Sequence, residues 1–280
     1  MEKVMEIGSD VHKELFCRTF VEGHLKFEPQ DLPWPELDEK PLELLRSLQL
    51  WTHARQFEHD AGPMIEMVAK RVADPMIREA LELQSFEETR HARLMDYMIK
   101  LYDLPAEDPK DFSSPDPLTE FIDFGFEECL DSFGGFGLFE LVRQSKLLPE
   151  SLLEIFENVM REESHHIVFF TNWYAHRETA SGFSNRLLLP PRIAWYYARA
   201  LLKIRDLVKV DDAEPGAAFI VTGARDFTDS LTPRLVLETC VAENERRLAG
   251  FDRRLLMPTF VPRLARVARR ALSLVPGRGA

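Results

Sequence analysis

The sequence of 280 residues contains only three cysteines, and they are far apart. Cys17, Cys129 and Cys240 include no Cys-x-x-Cys pair. Zinc ribbons, rubredoxin-type iron sites and disulfide frameworks need closely spaced cysteines, so this pattern argues against all three. Scattered thiols are typical of proteins in a reducing compartment, and we therefore expect a cytoplasmic location.

Long apolar runs are also missing. No stretch reaches the roughly 20 apolar residues that a membrane-spanning helix needs. The start, Met1-Glu2-Lys3, lacks the basic beginning and apolar core of a signal peptide, so none is expected. The net charge of −12 divides into −19 over residues 1–185 and +7 over residues 186–280. An acidic main body argues against nucleic acid as the principal partner.

Strand-like alternation of apolar and polar residues is missing as well. Apolar residues recur at helical spacing instead, which predicts an all-α fold. Three parts are predicted: an N-terminal helix with a proline-rich strap (1–41), four long helices (42–178) and a C-terminal helical extension (179–280). The predicted helices are residues 1–26, helix A from Pro41 to Val72, helix B from Pro75 to Tyr102, helix C from Pro117 to Leu147, helix D from Pro149 to Arg177, and segments at 191–209, 215–228, 232–256 and after Pro262.

A Glu-Glu-x-x-His motif occurs twice, as Glu87-Glu88-Thr89-Arg90-His91 in helix B and as Glu162-Glu163-Ser164-His165-His166 in helix D. In both copies the second glutamate and the last histidine share the apolar face of the helix, because residues three apart on a helix are neighbours. A buried carboxylate is costly without a partner, and a metal ion is one partner that removes the cost. One Glu-x-x-His is expected about once by chance in a chain of this length, but two in matching settings are not.

Glutamates on helices A and C complete the pattern. Glu58 lies on the apolar face of helix A, level with Glu88 in an antiparallel hairpin. Glu128 lies on the apolar face of helix C but roughly 5–6 Å above the level of Glu163, an offset that a π-bulge would reduce. Asp131 and Glu140 remain alternatives on helix C. Glu66 and Glu87 lie off the apolar faces and are predicted to be dispensable for metal binding.

With Glu58, Glu88, His91, Glu128, Glu163 and His166 in this order, residues 42–178 resemble the ferritin-like di-iron carboxylate superfamily. The end of helix D and the pair Glu128-Cys129 look most like the aldehyde-deformylating oxygenases. The resemblance implies a ferritin-like four-helix bundle with additional N- and C-terminal helices. It also implies that those six residues bind two iron ions, or manganese and iron.

The same resemblance implies an O2-activating oxidase or monooxygenase acting on a small organic or acyl substrate. Because no flavin or nicotinamide fingerprint is visible, electrons are expected from a ferredoxin or a separate reductase.

The two imidazoles are expected to donate their second N–H to nearby acceptors, for which Asp60, Asp131 and Gln84 are candidates. His165 is expected near the site or at the surface, and His12 and His24 at the surface.

Glycines interrupt helix C at Gly134, Gly135 and Gly137, where they destabilise the helix unless close packing, a kink or a ligand requires them. Gly135 with Phe136 and Phe139 is the predicted substrate pocket, although core packing is the commoner role of such phenylalanines.

The alternative functions are iron sequestration, a rubrerythrin-like peroxidase and a metal-free helical scaffold. The missing Cys-x-x-Cys argues against the peroxidase, and the additional helices argue against a storage cage.

The C-terminal run after Pro262 is basic and amphipathic, with Arg263, Arg266, Arg269 and Arg270. Such a helix can contact a membrane surface. The commoner explanation is packing on the acidic body of the same chain.

Overall fold

The computed structural model describes residues 5–48, 50–180, 183–210 and 231–274. These residues form nine α-helices and no strand, which confirms the predicted all-α fold for the described part of the chain. The helices are α1 Asp10–Gly23, α2 Glu39–Ser47, α3 Trp51–Ala69, α4 Pro75–Tyr102, α5 Pro117–Ser145, α6 Glu150–Ala180, α7 Phe183–Val210, α8 Pro233–Leu248 and α9 Phe260–Leu274, with a short 3₁₀ turn at Pro29–Asp31. No helix within these ranges has the length and apolarity to cross a membrane.

Four long helices surround the interior of the protein. Helix α3 packs against α4 and α5, α5 packs against α6, and α4 also touches α6. Helix α1 covers α4 and α6 from one side, while α7 and α8 pack against α5. Asp74 begins α4 by accepting hydrogen bonds from the backbone N–H groups of Met76 and Ile77, and Pro75 fits the first position of the helix.

The predicted helix A is divided in two, and the prediction of one continuous helix from Pro41 to Val72 is wrong. Helix α2 ends at Ser47 and α3 begins at Trp51. The indole N–H of Trp51 donates to the carbonyl of Leu45 at 2.7 Å, and both side chains are buried. The packing of these two residues therefore stabilises the break between the helices. The local sequence contains no glycine or proline that would indicate such a break.

The predicted boundaries elsewhere shift by a few residues or more. The N-terminal helix begins at Asp10, and the helix predicted at 232–256 ends at Leu248. Helix α6 continues to Ala180 and α7 begins at Phe183, so most of the predicted boundary at 178–188 is helical. The segment predicted at 215–228 lies outside the described residues.

The C-terminal helices contact the acidic body through ion pairs. Arg199 of α7 pairs with Asp123 of α5 at 2.8 Å, and Arg247 of α8 pairs with Glu157 of α6 at 2.8 Å. Lys203 also pairs with Glu127. The opposite net charges of the two parts of the chain thus serve internal packing at these contacts.

His12 is fully buried, so its predicted surface position is wrong. The N–H of Gly8 donates to His12 Nδ1 at 3.3 Å, and His12 Nε2–H donates to Asn172 Oδ1 at 2.9 Å. The amide of Asn172 also bonds the backbone of Leu256. A small network of hydrogen bonds through His12 and Asn172 therefore joins α1, α6 and the segment before α9.

Acidification is expected to destabilise the fold through His12. Burial lowers the pKa of His12, so below the ordinary histidine pKa of about 6.5 the unfolded chain binds a proton that the folded chain resists. We expect the free energy of unfolding, measured with urea, to fall less between pH 7 and pH 5 in His12→Gln than in the native chain. An equal fall in both proteins would contradict this role.

Two glycines of α5 are expected to respond oppositely to alanine. A Cβ on Gly137 would lie 2.3 Å from Cys240 Sγ, whereas a Cβ on the exposed Gly134 would have no described atom within 4 Å. Gly137→Ala should overpack the contact with α8 and cost about 1–3 kcal/mol. Gly134→Ala should stabilise the helix by roughly 0.5–1 kcal/mol. Thermal unfolding of both variants checks the contrast, and similar shifts would contradict it.

Candidate metal centre

The six predicted ligands lie together in one buried cluster between α3, α4, α5 and α6. Their contributions are Glu58 from α3, Glu88 and His91 from α4, Glu128 from α5, and Glu163 and His166 from α6. Four helices thus bring together residues that are more than 100 positions apart in the sequence.

His166 is the centre of one half of the cluster. Its Nδ1 lies 3.0 Å from Glu88 Oε1, 3.3 Å from Glu128 Oε1 and 3.9 Å from Glu163 Oε1. The side chains of His166, Glu88 and Glu128 are at most 3% exposed. Glu88, Glu128 and His166 therefore form one group of three that could hold a metal ion.

His91 is the centre of the other half. Its Nδ1 lies 3.4 Å from Glu163 Oε1, 3.6 Å from Glu88 Oε2 and 3.8 Å from Glu58 Oε2. Glu58, Glu88 and His91 form a second possible metal-binding group, so the two groups share Glu88. The centroids of the rings of His91 and His166 are 5.7 Å apart.

Glu128 is the residue of α5 that reaches the cluster. Glu140 lies beside Arg143 instead, and Asp131 is exposed. Helix α5 is α-helical throughout, so the predicted π-bulge is wrong. Glu128 stands 17 residues before the end of α5, and His166 stands 16 residues after the start of α6. Glu128 is therefore at the same height along the bundle as His166. The prediction from the sequence compared the height of Glu128 with that of Glu163, and so it overestimated the distance of Glu128 from the cluster.

The other nitrogen of each imidazole bonds the first glutamate of the opposite motif. His166 Nε2–H donates to Glu87 Oε2 at 2.9 Å, and His91 Nε2–H donates to Glu162 Oε2 at 2.9 Å. The predicted acceptors Asp60, Asp131 and Gln84 do not have this role. Glu87 was expected to lie off the buried face of its helix, but it is buried. Both outer glutamates are at most 2% exposed. These bonds leave each Nδ1 directed at the inner carboxylates.

A second layer of contacts holds the outer glutamates. His24 Nδ1–H donates to Glu87 Oε1 at 2.6 Å, so His24 is not the surface residue that the sequence predicted. The guanidinium of Arg90 bonds Glu162 and also donates to the carbonyl of Leu25 at 2.8 Å. The segment that follows α1 is therefore tied to both outer glutamates.

Sequence reasoning missed these outer residues, although a signal for two of them was present. Both copies of the motif contain the first glutamate, Glu87 or Glu162, as well as the second. That repetition alone indicates a role for the pair. His24 and Arg90 lie outside any repeated pattern, and only the packing of α1 on α4 and α6 brings His24 to the cluster.

Several buried atoms of the cluster have no hydrogen-bond partner within the described part of the chain. They are Glu88 Oε1, both carboxylate oxygens of Glu128, His91 Nδ1 and His166 Nδ1. Leaving such an atom unpaired costs about 1–3 kcal/mol. All five belong to residues whose donor atoms suit a metal ion, so the donor set fits a bound cation.

The electrostatics of the cluster are those of crowded, desolvated acids. Burial raises the pKa of Glu58 to about 8 and raises the pKa of Glu128 well above its ordinary value. Burial also acts on Glu88, but the neighbouring imidazoles of His166 and His91 outweigh it and hold the pKa of Glu88 at about 2. Cations that enter this cluster would displace protons, since metal ligands must be deprotonated.

The residues of the predicted substrate pocket face different surroundings. Phe136 is fully buried and Phe139 is half-buried, and both pack beneath the guanidinium of Arg247 in α8. Gly135 lies two turns after Glu128, and no described atom would lie within 4 Å of a Cβ at this position. Space beside Gly135 is thus compatible with a pocket, whereas the two phenylalanines pack as core residues.

The ligand types narrow the chemistry. Carboxylates and imidazoles together suit iron, manganese and zinc, and a cluster without thiolates does not favour soft metals. The three cysteines are free and buried, and none belongs to the cluster. Comparison with models of protein families, with curated proteins and with solved structures finds no match to this chain.

Proposed function

We propose that this chain is a ferritin-like di-iron oxidoreductase that uses O2 to oxidise a small organic or acyl substrate. The supporting observation is the convergence of four carboxylates and two imidazoles, contributed by four helices, on one buried cluster. Ferritin-like di-iron carboxylate proteins use a glutamate from each of two helices and a Glu-x-x-His from each of the other two. Two iron ions, or manganese and iron, would supply the oxidising power when bound there.

The residues of the chain have distinct roles in this proposal. His91 and His166 offer Nδ1, and Glu88 lies between them with one oxygen towards each. The outer glutamates Glu87 and Glu162 fix the tautomer and the orientation of the two rings, which also raises their basicity.

Access to the cluster is expected at the side of Glu58 and Glu163. Their side chains are 18% and 15% exposed, whereas the other four ligands are at most 3% exposed. O2 and a small substrate would approach from this side. Electrons would come from an external donor, a ferredoxin or a reductase.

The proposal is tested with the full chain loaded anaerobically with Fe(II) and then exposed to O2. We expect iron oxidation, and we expect label from ¹⁸O2 in a product when aldehydes, fatty acids and small aromatic acids are screened with a ferredoxin system. Glu66→Ala, which changes an exposed residue paired with Lys70, should behave like the native chain. Iron oxidation without any substrate oxidation, with uptake of iron far beyond the two ions, would instead support sequestration.

Gly135→Leu is expected to block substrate oxidation while the metal ions stay bound. The new side chain would extend into the space beside Gly135, where a Cβ meets no described atom within 4 Å. Iron content and substrate turnover of this variant are compared with those of Gly134→Leu, the matched change at the exposed neighbouring position. Undiminished turnover in a folded, iron-loaded Gly135→Leu protein would contradict the pocket.

A further inference from the structure

The two halves of the cluster differ in how completely they are assembled. In the group around His166, the carboxylate oxygens of Glu88 and Glu128 lie 3.0 and 3.3 Å from Nδ1. In the group around His91, the oxygens of Glu88 and Glu58 lie 3.6 and 3.8 Å from Nδ1. The first group therefore needs less rearrangement to close around a single ion.

Burial also separates the two halves. All three side chains around His166 are at most 3% exposed, and unpaired buried atoms occur on each of them. Around His91, the side chain of Glu58 is 18% exposed, and neither of its carboxylate oxygens is among the buried atoms without a partner. An ion at the His166 position thus satisfies more atoms that water does not reach, which favours binding there.

The outer partners differ in charge as well. Glu162 is bonded to Arg90, whose guanidinium is permanently charged and fully buried. Glu87 is bonded to the imidazole of His24, which carries no permanent charge and therefore withdraws less electron density from the carboxylate than a guanidinium does. A carboxylate that already neutralises an arginine is a weaker acceptor for a second donor, so Glu162 polarises His91 less than Glu87 polarises His166. A ring held by the stronger acceptor is the better ligand.

We propose that the two metal positions are unequal, that the first divalent ion binds to Glu88, Glu128 and His166, and that His24 is a positioning residue that holds the Glu87 carboxylate in the orientation in which it accepts from His166. The second ion then binds to Glu58, the other oxygen of Glu88, His91 and Glu163, whose Oε1 lies nearer to His91 Nδ1 than to His166 Nδ1. This inference rests on the proposed di-metal function. It adds the order in which the two ions bind. It also gives a role to His24, which lies outside the four helices that carry the ligands.

Titration of the metal-free full chain with Co(II), followed by visible absorption and by competition with a chelator, tests the order. We expect two resolved binding steps in the native chain. His166→Ala should lose the tighter step and keep a weaker one, and His91→Ala should keep the tighter step. Loss of the tighter step in His91→Ala, or two equal affinities in the native chain, would overturn the order of binding. A native chain that takes up no cobalt, iron or manganese would instead overturn the proposed function itself.

His24→Phe tests the role of His24, because it keeps a ring of similar shape but removes the hydrogen bond to Glu87. We expect the tighter affinity to fall by about 10-fold, the lower end for loss of an outer partner, while the weaker affinity is unchanged. His24→Gln, which retains an N–H donor, should recover part of the loss. Arg93→Gln, which changes a neighbouring ion pair with Glu28, should alter neither affinity. An equal fall of both affinities in His24→Phe would show a general structural effect and overturn the selective role.

Discussion

Replacing Glu88 by alanine is expected to remove both metal ions, since Glu88 belongs to both ligand groups. One of its oxygens lies 3.0 Å from His166 Nδ1 and the other lies 3.6 Å from His91 Nδ1. Glu163 also has one oxygen near both histidines, at 3.4 Å from His91 Nδ1 and 3.9 Å from His166 Nδ1, but it belongs to neither group of three. Elemental analysis after reconstitution with iron should find none retained, while circular dichroism should still show a helical protein.

Glu66→Ala is the matched control for Glu88→Ala. Glu66 is an exposed glutamate whose carboxylate pairs with Lys70 at 2.9 Å, away from the cluster. This variant should retain the full metal content. A Glu88→Ala protein that keeps both ions would mean that the ligands are not those of the cluster.

Replacing Glu87 by alanine is expected to weaken metal binding by about 10- to 100-fold, the usual effect of losing an outer partner of a ligand histidine. Glu87 accepts from His166 at 2.9 Å and from His24 at 2.6 Å, and it is 2% exposed. The variant leaves His166 free to rotate or to change tautomer. Chelator competition measures the loss directly.

Glu82→Ala is the matched control for Glu87→Ala, because Glu82 is an exposed glutamate on the same helix. It should bind metal like the native chain. Equal affinities for Glu87→Ala and Glu82→Ala would contradict the outer role of Glu87 and would favour the original prediction that this residue is dispensable.

Helical periodicity predicted helices B, C and D and most of helix A, and it placed the six clustered residues on apolar faces, with Asp131 and Glu140 left as alternatives to Glu128. The inference that residues on the apolar face of a helix lie towards the interior was correct for Glu58, Glu88 and Glu163. Each lies at helical spacing from a buried apolar residue, namely Ile65, Leu81 and Phe170. The pattern could not predict the break before Trp51. That break depends on a contact between an indole and a carbonyl of the preceding helix, and no local residue type marks it.

The same inference failed for Glu87 and Glu162, because it assumes that each helix has only one buried face. Helix α1 packs on α4 and α6 and covers the faces on which these glutamates lie. Phe20 of α1 has its ring centroid 5.8 Å from that of His166, so the N-terminal helix reaches the cluster itself. Which second face becomes buried depends on a helix that is distant in sequence, and a single-helix pattern carries no information about it.

The metal content of the native chain is the most direct measurement of the central claim. The full chain is prepared in iron-supplemented cells or reconstituted with Fe(II), and iron and manganese are determined per chain. The account predicts about two ions per chain, the number that a ferritin-like set of four glutamates and two histidines would hold. Less than about half an equivalent of any transition metal after reconstitution would contradict it, because the two-metal arrangement would then be unoccupied in most molecules.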